Sequence, residues 1–248
     1  MKFSYVLCLL LAVVSCKKAP NQLEKITAKT ITIDSTLASS NKIDSVITPY
    51  KEKLEVEMQE ILTYAPKDFL KNEVPGQSSL GNLMADICFD LTNPLYKEKT
   101  GNSIDFVLFN HGGIRATIPR GKVTVERAFK LMPFENEFVV VTLTGEKINE
   151  LVQFFIDHKR AHPLSKNVEL QITGKQYTLK INGEDFDKNK SYNVLTSDYL
   201  QTGGDNMLFF KNPKELVKLD YKIRDALIDH LKKTDTLQAS VDNRVIIK

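Results

Sequence analysis

Apolar residues recur at helical spacing in several stretches of the chain. Positions 43, 47, 50, 54, 58 and 61 are apolar, which predicts a helix from Ile43 to Tyr64. A short helix is predicted over residues 124–131, because Thr124 is a favourable cap at its amino end. Pro94 follows another helical stretch and predicts that this helix ends before it. The same spacing predicts helices over residues 81–91, 145–158 and 221–233.

Short runs rich in β-branched and aromatic residues predict the strands. These runs cover residues 103–109, 137–143, 168–172, 177–181, 192–196 and 244–247. Asn182-Gly183 follows the fourth run and predicts a tight turn. Helices and strands mix without a strict strand–helix–strand repeat. The predicted fold class is therefore α+β or mixed layered α/β, with mixed sheets and flanking helices.

The amino-terminal residues are typical of an export signal. Lys2 is followed by an uncharged run over residues 3–16, whose apolar part is too short for a bilayer-spanning helix of roughly 20 residues. This pattern predicts a signal peptide over residues 1–15. The run ends V-V-S-C and resembles a bacterial lipobox, which predicts lipidation of Cys16. We therefore expect an exported, membrane-anchored lipoprotein of a bacterial cell envelope, on the periplasmic side or the cell surface. A plain secretory signal with an incidental cysteine is the alternative.

A change in composition separates the signal from the rest of the chain. Residues 16–40 are rich in Ser, Thr and Lys and contain no aromatic residue, which predicts a flexible tether. Within them, residues 30–34 alternate like a strand, which leaves short extended structure open. A globular domain is expected over residues 41–248.

Composition and charge exclude several classes of protein. The 248 residues are 42% hydrophobic and 26% charged, which is ordinary globular usage. The formal net charge of +3 is weak for a nucleic-acid-binding protein, so no nucleic-acid partner is expected. The three cysteines and four histidines form no zinc motif and no paired-histidine motif. No metal and no cofactor is therefore expected in this chain.

Both glycine–glycine pairs of the chain fall in loops that follow predicted strands. One loop is F-N-H-G-G-I-R, residues 109–115, and the other is S-D-Y-L-Q-T-G-G-D-N, residues 197–206. Glycine allows a tight turn or a close approach of the backbone to a ligand, and both loops also carry polar side chains. Neither loop matches a phosphate-binding motif. On spacing alone, two tight turns with satisfied side chains are the simpler interpretation.

Four motifs in order change this interpretation. They are S-L-G-N-L-M-A-D, N-H-G-G-I-R, L-M-P-F-E-N-E-F-V-V-V-T-L-T-G and Y-N-V-L-T-S-D-Y-L-Q-T-G-G-D. Together they resemble the C-terminal, substrate-binding domain of the 5′-nucleotidase / UDP-sugar hydrolase family. The resemblance runs from about Ser79 to the carboxyl end of the chain. It implies the fold of that domain and a nucleotide or nucleoside ligand.

The resemblance implies a role for five residues. Phe134 and Tyr199 would stack on the two faces of the base, and Asp205 would bind the ribose hydroxyls. Asn110 and Arg115 would bind the base side and the sugar–phosphate side of the ligand. Stacking accepts any base and needs the ring alone, so Tyr199→Phe is expected to be nearly silent. Without the resemblance, a core phenylalanine and a surface tyrosine would be the simpler interpretations.

Two departures from the family bear on function. Members carry a phosphate-contacting arginine before the first motif, whereas here Lys71 is the nearest cation and lacks the bidentate geometry of arginine. The family's N-terminal metallophosphatase domain holds two metal ions through D-x-H, G-D and G-N-H motifs, whereas residues 1–78 contain no histidine.

We therefore expect no catalytic residue in this chain. The expected function is nucleotide or nucleoside recognition within a 5′-nucleotidase-type phosphohydrolase system of nucleotide catabolism. A separately encoded metallophosphatase chain would act with it and hold the divalent metals. One alternative is a surface nucleotide- or nucleoside-binding lipoprotein that catalyses nothing. Another is an interaction domain whose ancestral pocket has decayed.

Overall fold

The structure is a computed structural model that describes residues 23–248. The predicted signal peptide, Cys16 and the first residues of the predicted tether lie outside the described residues. The chain divides into two units, residues 1–48 and 49–248. In the first unit, residues 23–40 form no helix or strand, and their side chains are exposed. The first helix, α1 (Asn41–Met58), has no buried residue.

The prediction that α1 continues to Tyr64 is wrong. The chain forms β1 (Ile61–Ala65) instead, which pairs antiparallel with β3 (Gly121–Thr124). Leu62 is buried within this strand, so pairing and burial outweigh the helical spacing of the apolar residues.

The second helix, α2 (Ser79–Thr100), extends well beyond its predicted end. Ser78 caps its amino end by accepting a hydrogen bond from the Gly81 amide, and Gly101 ends it in a left-handed conformation. Pro94 lies inside the helix and does not stop it. Tyr96, beyond the proline, is fully buried, and this packing favours the continued helix.

The central sheet contains four strands in the order β2-β8-β4-β9. Strand β2 runs parallel to β8, and β4 runs antiparallel to both β8 and β9. Strand β9 is absent from the sequence prediction because, at the edge of the sheet, its residues are exposed or only partly buried. The predicted strand 103–109 shortens to β2. The bounds are β2 (Phe106–Val107), β4 (Glu137–Thr144), β8 (Ser191–Ser197) and β9 (Glu215–Lys222).

A second sheet has the order β10-β5-β6-β7, with β10 parallel to β5 and the other pairs antiparallel. Its strands are β5 (Val168–Thr173), β6 (Gln176–Ile181), β7 (Glu184–Asp185) and β10 (Val245–Ile247). Asn182 and Gly183 connect β6 to β7 with φ values of 54° and 80°, which confirms the predicted tight turn.

The remaining helices flank the sheets. They are α3 (Val125–Leu131), α4 (Gly145–His158), α5 (Asp198–Gln201) and α6 (Ile223–Leu231). Helix α6 packs on α2 and α3, and α4 packs on β4. The predicted class, mixed sheets with flanking helices, is confirmed. Within residues 23–248, no helix is both long enough and apolar enough to cross a membrane.

The register of the central sheet brings three loops to one edge. Phe138 at the start of β4 pairs with Ser197 at the end of β8. Strand β2 runs parallel to β8, so the loop after β2 leaves from the same edge. The loops that carry residues 108–115, 132–136 and 198–206 therefore meet there.

Candidate functional site: a cavity at the edge of the central sheet

The three loops enclose a cavity of about 280 Å³. This volume lies near the lower end of the roughly 300–1,000 Å³ range of small-molecule sites. All five residues predicted from the sequence to bind a ligand line the cavity, and Asn136 joins them. Their roles in binding stay predictions. The lining residues are Asn110, Gly112, Gly113, Arg115, Phe134, Asn136, Tyr199 and Asp205.

The two aromatic side chains are exposed although they are large. Phe134 is 39% exposed and Tyr199 is 44% exposed, and both rings face the same cavity. The simpler interpretation of Phe134 as a core residue is therefore wrong. The Arg115 guanidinium carbon lies 5.9 Å from the centroid of the Phe134 ring, within the range of a cation–π contact. The cavity thus has aromatic walls contributed by two loops, with a cation beside one of them.

Asp205 joins the loops through its carboxylate. One oxygen accepts a hydrogen bond from the Asn110 side-chain amide at 2.5 Å, and the other accepts one from the Tyr199 hydroxyl at 3.1 Å. The Tyr199 hydroxyl also accepts a hydrogen bond from the Asp205 amide at 3.2 Å. This hydroxyl positions Asp205, which revises the expectation that only the ring of Tyr199 matters. Each carboxylate oxygen keeps a second lone pair for a ligand hydroxyl.

Glycines allow these close contacts. Gly203 has φ 94°, a conformation that favours glycine, and it directs the chain back towards the cavity. A Cβ atom on Gly204 would overlap the Tyr199 ring, and one on Gly112 would lie 2.8 Å from an Asp205 carboxylate oxygen. Both glycine–glycine pairs therefore allow groups of the site to lie close together. This role adds to the tight turns that the sequence alone indicates.

Arg224 on α6 holds the backbone at Phe134. Its side chain is buried, donates a hydrogen bond to the Phe134 carbonyl at 3.2 Å and pairs with the Glu135 carboxylate. Hydrogen bonds from Arg224 and Lys222 lower the pKa of Glu135 to about 2. The guanidinium also lies 4.3 Å from the Phe129 ring centroid. Sequence reasoning missed Arg224 because it lies 90 positions from Phe134 and belongs to none of the four motifs.

Two histidines fix the loop that carries Asn110. The His111 amide donates a hydrogen bond to Nδ1 of His162 at 3.1 Å, and the His111 ring lies 3.2 Å from the Ala161 carbonyl oxygen. Burial lowers the pKa of His162 to about 3, so this ring stays neutral and keeps its acceptor nitrogen. The expectation that His111 binds no metal stays a prediction. Within residues 23–248, no three potential metal-ligating side chains cluster.

Lys71 lies beside the same loop. Its ammonium group donates a hydrogen bond to the Ile114 carbonyl at 2.6 Å. Partial burial lowers the pKa of Lys71, and the positive charges of Arg115 and Arg160 lower it further. In the sequence, Lys71 is the cation nearest to the position of the arginine that the resemblance implies.

The part of the chain that forms the cavity matches a known family. Residues 66–212 match the family described as "5′-nucleotidase, C-terminal domain". This range is more than half of the chain, and it includes every residue that lines the cavity.

Two curated relatives are much longer than this chain. Protein UshA of Escherichia coli strain K12 is 27% identical over 213 residues, which cover 83% of this chain and 37% of that protein. The trifunctional nucleotide phosphoesterase protein YfkN of Bacillus subtilis strain 168 is 26% identical over 185 residues, which cover 68% of this chain and 12% of that protein. The chain therefore spans less than half the length of either relative.

A solved structure shares the fold. The 5′-nucleotidase precursor from Thermus thermophilus superposes with a TM-score of 0.67 at 22% identity. The match covers 82% of this chain and 42% of the other. At this identity the similarity establishes the architecture, which agrees with the fold implied by the four motifs.

Proposed function

Because the chain belongs to the 5′-nucleotidase C-terminal-domain family, we propose that it recognises a nucleotide or nucleoside within a 5′-nucleotidase-type phosphohydrolase system of nucleotide catabolism. The single observation that carries this proposal is the arrangement of two exposed aromatic rings and one hydrogen-bonded carboxylate around a single cavity. Aromatic walls suit a purine or pyrimidine ring, and a carboxylate suits vicinal hydroxyls.

In this proposal, each cavity residue has a distinct task. The base stacks between Phe134 and Tyr199, and stacking is worth about 1–3 kcal/mol per base in single-stranded nucleic-acid complexes. Asp205 accepts hydrogen bonds from ribose hydroxyls while Asn110 and the Tyr199 hydroxyl hold its carboxylate in place. Arg115 lies beside Phe134 and contacts the sugar–phosphate side of the ligand.

We propose that hydrolysis takes place on a separate metallophosphatase chain. The cavity residues can bind and orient a ligand, whereas phosphoester hydrolysis by this family's chemistry needs two metal ions that activate and position water. This chain would supply the contacts to base and ribose, and the partner would hold the metals. The isolated chain is then expected not to hydrolyse AMP at an enzymatic rate.

We further propose that the chain acts at the bacterial cell envelope, anchored by lipid on Cys16. The proposal rests on the V-V-S-C sequence that follows a short apolar run. Membrane fractionation of Cys16→Ser tests it, since a non-lipidated chain should leave the membrane fraction. A variant that is processed normally and stays with the membranes would contradict lipidation.

Calorimetric titration of the mature-length chain carrying Cys16→Ser tests ligand recognition. We expect it to bind adenosine, and we expect Asp205→Ala to weaken adenosine binding more than 2′-deoxyadenosine binding. Asp220→Ala is a matched control, because Asp220 has a similar left-handed φ of 54° but is an exposed partner of Lys99. Absence of binding by every nucleoside and nucleotide tested would refute the proposal.

A second assay distinguishes the two-chain hydrolase from a surface lipoprotein that only binds nucleotides. AMP hydrolysis by a candidate metallophosphatase chain is measured with and without this chain. Stimulation that is lost with Asp205→Ala supports the two-chain system. Nucleotide binding without any stimulation supports a surface binding lipoprotein that catalyses nothing.

A further inference from the structure

Asp198 connects the two loops that carry the aromatic walls of the cavity. It follows the last residue of β8 and begins α5, directly before Tyr199. Its Oδ1 atom accepts hydrogen bonds from two backbone amides, that of Tyr199 at 2.8 Å and that of Glu137 at 3.3 Å. Glu137 begins β4 and lies three positions after Phe134. One carboxylate oxygen therefore ties the residue that carries one ring to the strand that follows the other ring.

The bond to Glu137 extends the contact between β4 and β8 towards the cavity. The register of these two strands ends at the pair Phe138 and Ser197, and the next residue, Asp198, already belongs to α5. A partly buried amide needs an acceptor, and the Asp198 side chain supplies one to Glu137 where β8 has ended. Asp198 is not among the residues that line the cavity, so it acts on the site through the backbone that it holds.

Helix α6 fixes the Phe134 loop from the other side. Arg224 donates a hydrogen bond to the Phe134 carbonyl, and the Ile223 amide donates one to the Asn136 carbonyl at 3.0 Å. Together with the bond to Asp198, these contacts hold the backbone of the loop, while the Phe134 ring itself stays exposed. A wall whose backbone is already ordered loses less conformational freedom when a ligand binds.

We propose that Asp198 is a positioning residue, which sets the separation between the Phe134 and Tyr199 rings and thereby the affinity of the cavity for a base. This inference rests on the proposed function and adds to it a residue that lies outside the cavity. Asparagine offers an acceptor oxygen in the same place, whereas alanine leaves the Glu137 amide without its acceptor. The role therefore depends on the acceptor oxygen and needs no negative charge.

Calorimetric titration of the mature-length chain carrying Cys16→Ser with adenosine tests this role. Asp198→Ala is expected to weaken binding by about fivefold or more, and Asp198→Asn by at most about twofold. In a Phe134→Ala background, Asp198→Ala should change the affinity by at most about twofold, because the wall that it positions is gone. Asp187→Ala is the matched control and should leave the affinity unchanged. Asp187 is also partly buried and accepts a hydrogen bond from a backbone amide, that of Asn189 at 2.9 Å, but it does not line the cavity.

The results separate this role from the proposed function. Unchanged affinity in Asp198→Ala, an equal loss in the Phe134→Ala background, or an equal loss in Asp198→Asn would overturn the positioning role while the proposed function stands. Failure of the background chain to bind adenosine would overturn the proposed function and this role with it.

Amide hydrogen exchange tests the tie between the loops even if Asp198→Ala fails to fold. Measured by NMR on the background chain, the Glu137 amide should exchange about tenfold or more slowly than in an unstructured peptide, because it is hydrogen-bonded to Asp198. Exchange at the rate of the peptide would overturn the proposal, since Asp198 would then not hold the strand that follows Phe134.

Discussion

Removing the hydroxyl of Tyr199 separates the two contributions that we assign to this residue, the stacking of its ring and the positioning of Asp205 by its hydroxyl. Tyr199→Phe keeps an aromatic wall but removes the hydrogen bond to the Asp205 carboxylate at 3.1 Å and the one from the Asp205 amide at 3.2 Å. Asp205 has φ 52°, a conformation that is uncommon outside glycine and that these contacts help to hold. We therefore expect weaker ribose recognition with stacking intact.

The magnitude follows from the number and exposure of these bonds. A net intramolecular hydrogen bond contributes about 0.5–1.5 kcal/mol, and Tyr199 is 44% exposed, so water can replace both bonds and the low end applies. Two bonds then give about 1 kcal/mol, or about a fivefold loss of affinity for adenosine. Tyr199→Ala also removes the ring and should cost a further 1–3 kcal/mol, roughly the value of one stacked base.

Calorimetric titration with adenosine and 2′-deoxyadenosine measures both effects. The loss caused by Tyr199→Phe should be smaller for 2′-deoxyadenosine, and it should disappear in an Asp205→Ala background, because the hydroxyl acts through Asp205. Tyr177→Phe is the matched control, since the Tyr177 hydroxyl is hydrogen-bonded to Asn149 outside the cavity. A silent Tyr199→Phe, or an equal loss with Asp205→Ala present, would refute this reasoning.

Three further predictions follow from contacts in the domain. Gly204→Ala should weaken adenosine binding at least fivefold in titrations, because the added Cβ displaces the Tyr199 ring; unchanged affinity would contradict this. Arg244→Met should lower the free energy of unfolding by about 1–3 kcal/mol in urea denaturation, because it leaves the buried Leu164 carbonyl without its donor and two partly exposed carboxylates without their cation. Lys166→Met, which breaks an exposed pair, should cost less than about 1 kcal/mol. The pKa of His162 is about 3 when folded, so only the unfolded chain gains this proton as the pH falls from 6.5 towards 3. The free energy of unfolding should therefore fall as the pH is lowered through that window, and it should fall less steeply in His162→Phe. Equal slopes for the two proteins would contradict the lowered pKa of His162.

Local signals predicted the helices with clear caps. Helix α4 begins and ends at its predicted residues, because Thr144 caps its amino end and Lys159 ends it in a left-handed conformation. The start of α3 likewise follows from the Thr124 cap. By contrast, strand β1 and the continuation of α2 past Pro94 depend on pairing and burial, which no local pattern encodes.

The candidate site was likewise predictable only in part. Motifs placed Phe134, Tyr199 and Asp205 on loops next to predicted strands, and the antiparallel register of β4 and β8 brings those loops together. The residue that holds the backbone at Phe134 was not predictable. Arg224 reaches the site only through tertiary packing, from a helix that belongs to none of the four motifs.

A crystal structure of the chain with adenosine shows most directly whether one cavity binds both the base, between two rings, and the ribose, at Asp205. We expect the base between the Phe134 and Tyr199 rings and a ribose hydroxyl about 2.5–3.0 Å from an Asp205 carboxylate oxygen. Adenosine bound away from this cavity, or with its ribose pointing away from Asp205, would contradict the proposed mode of binding.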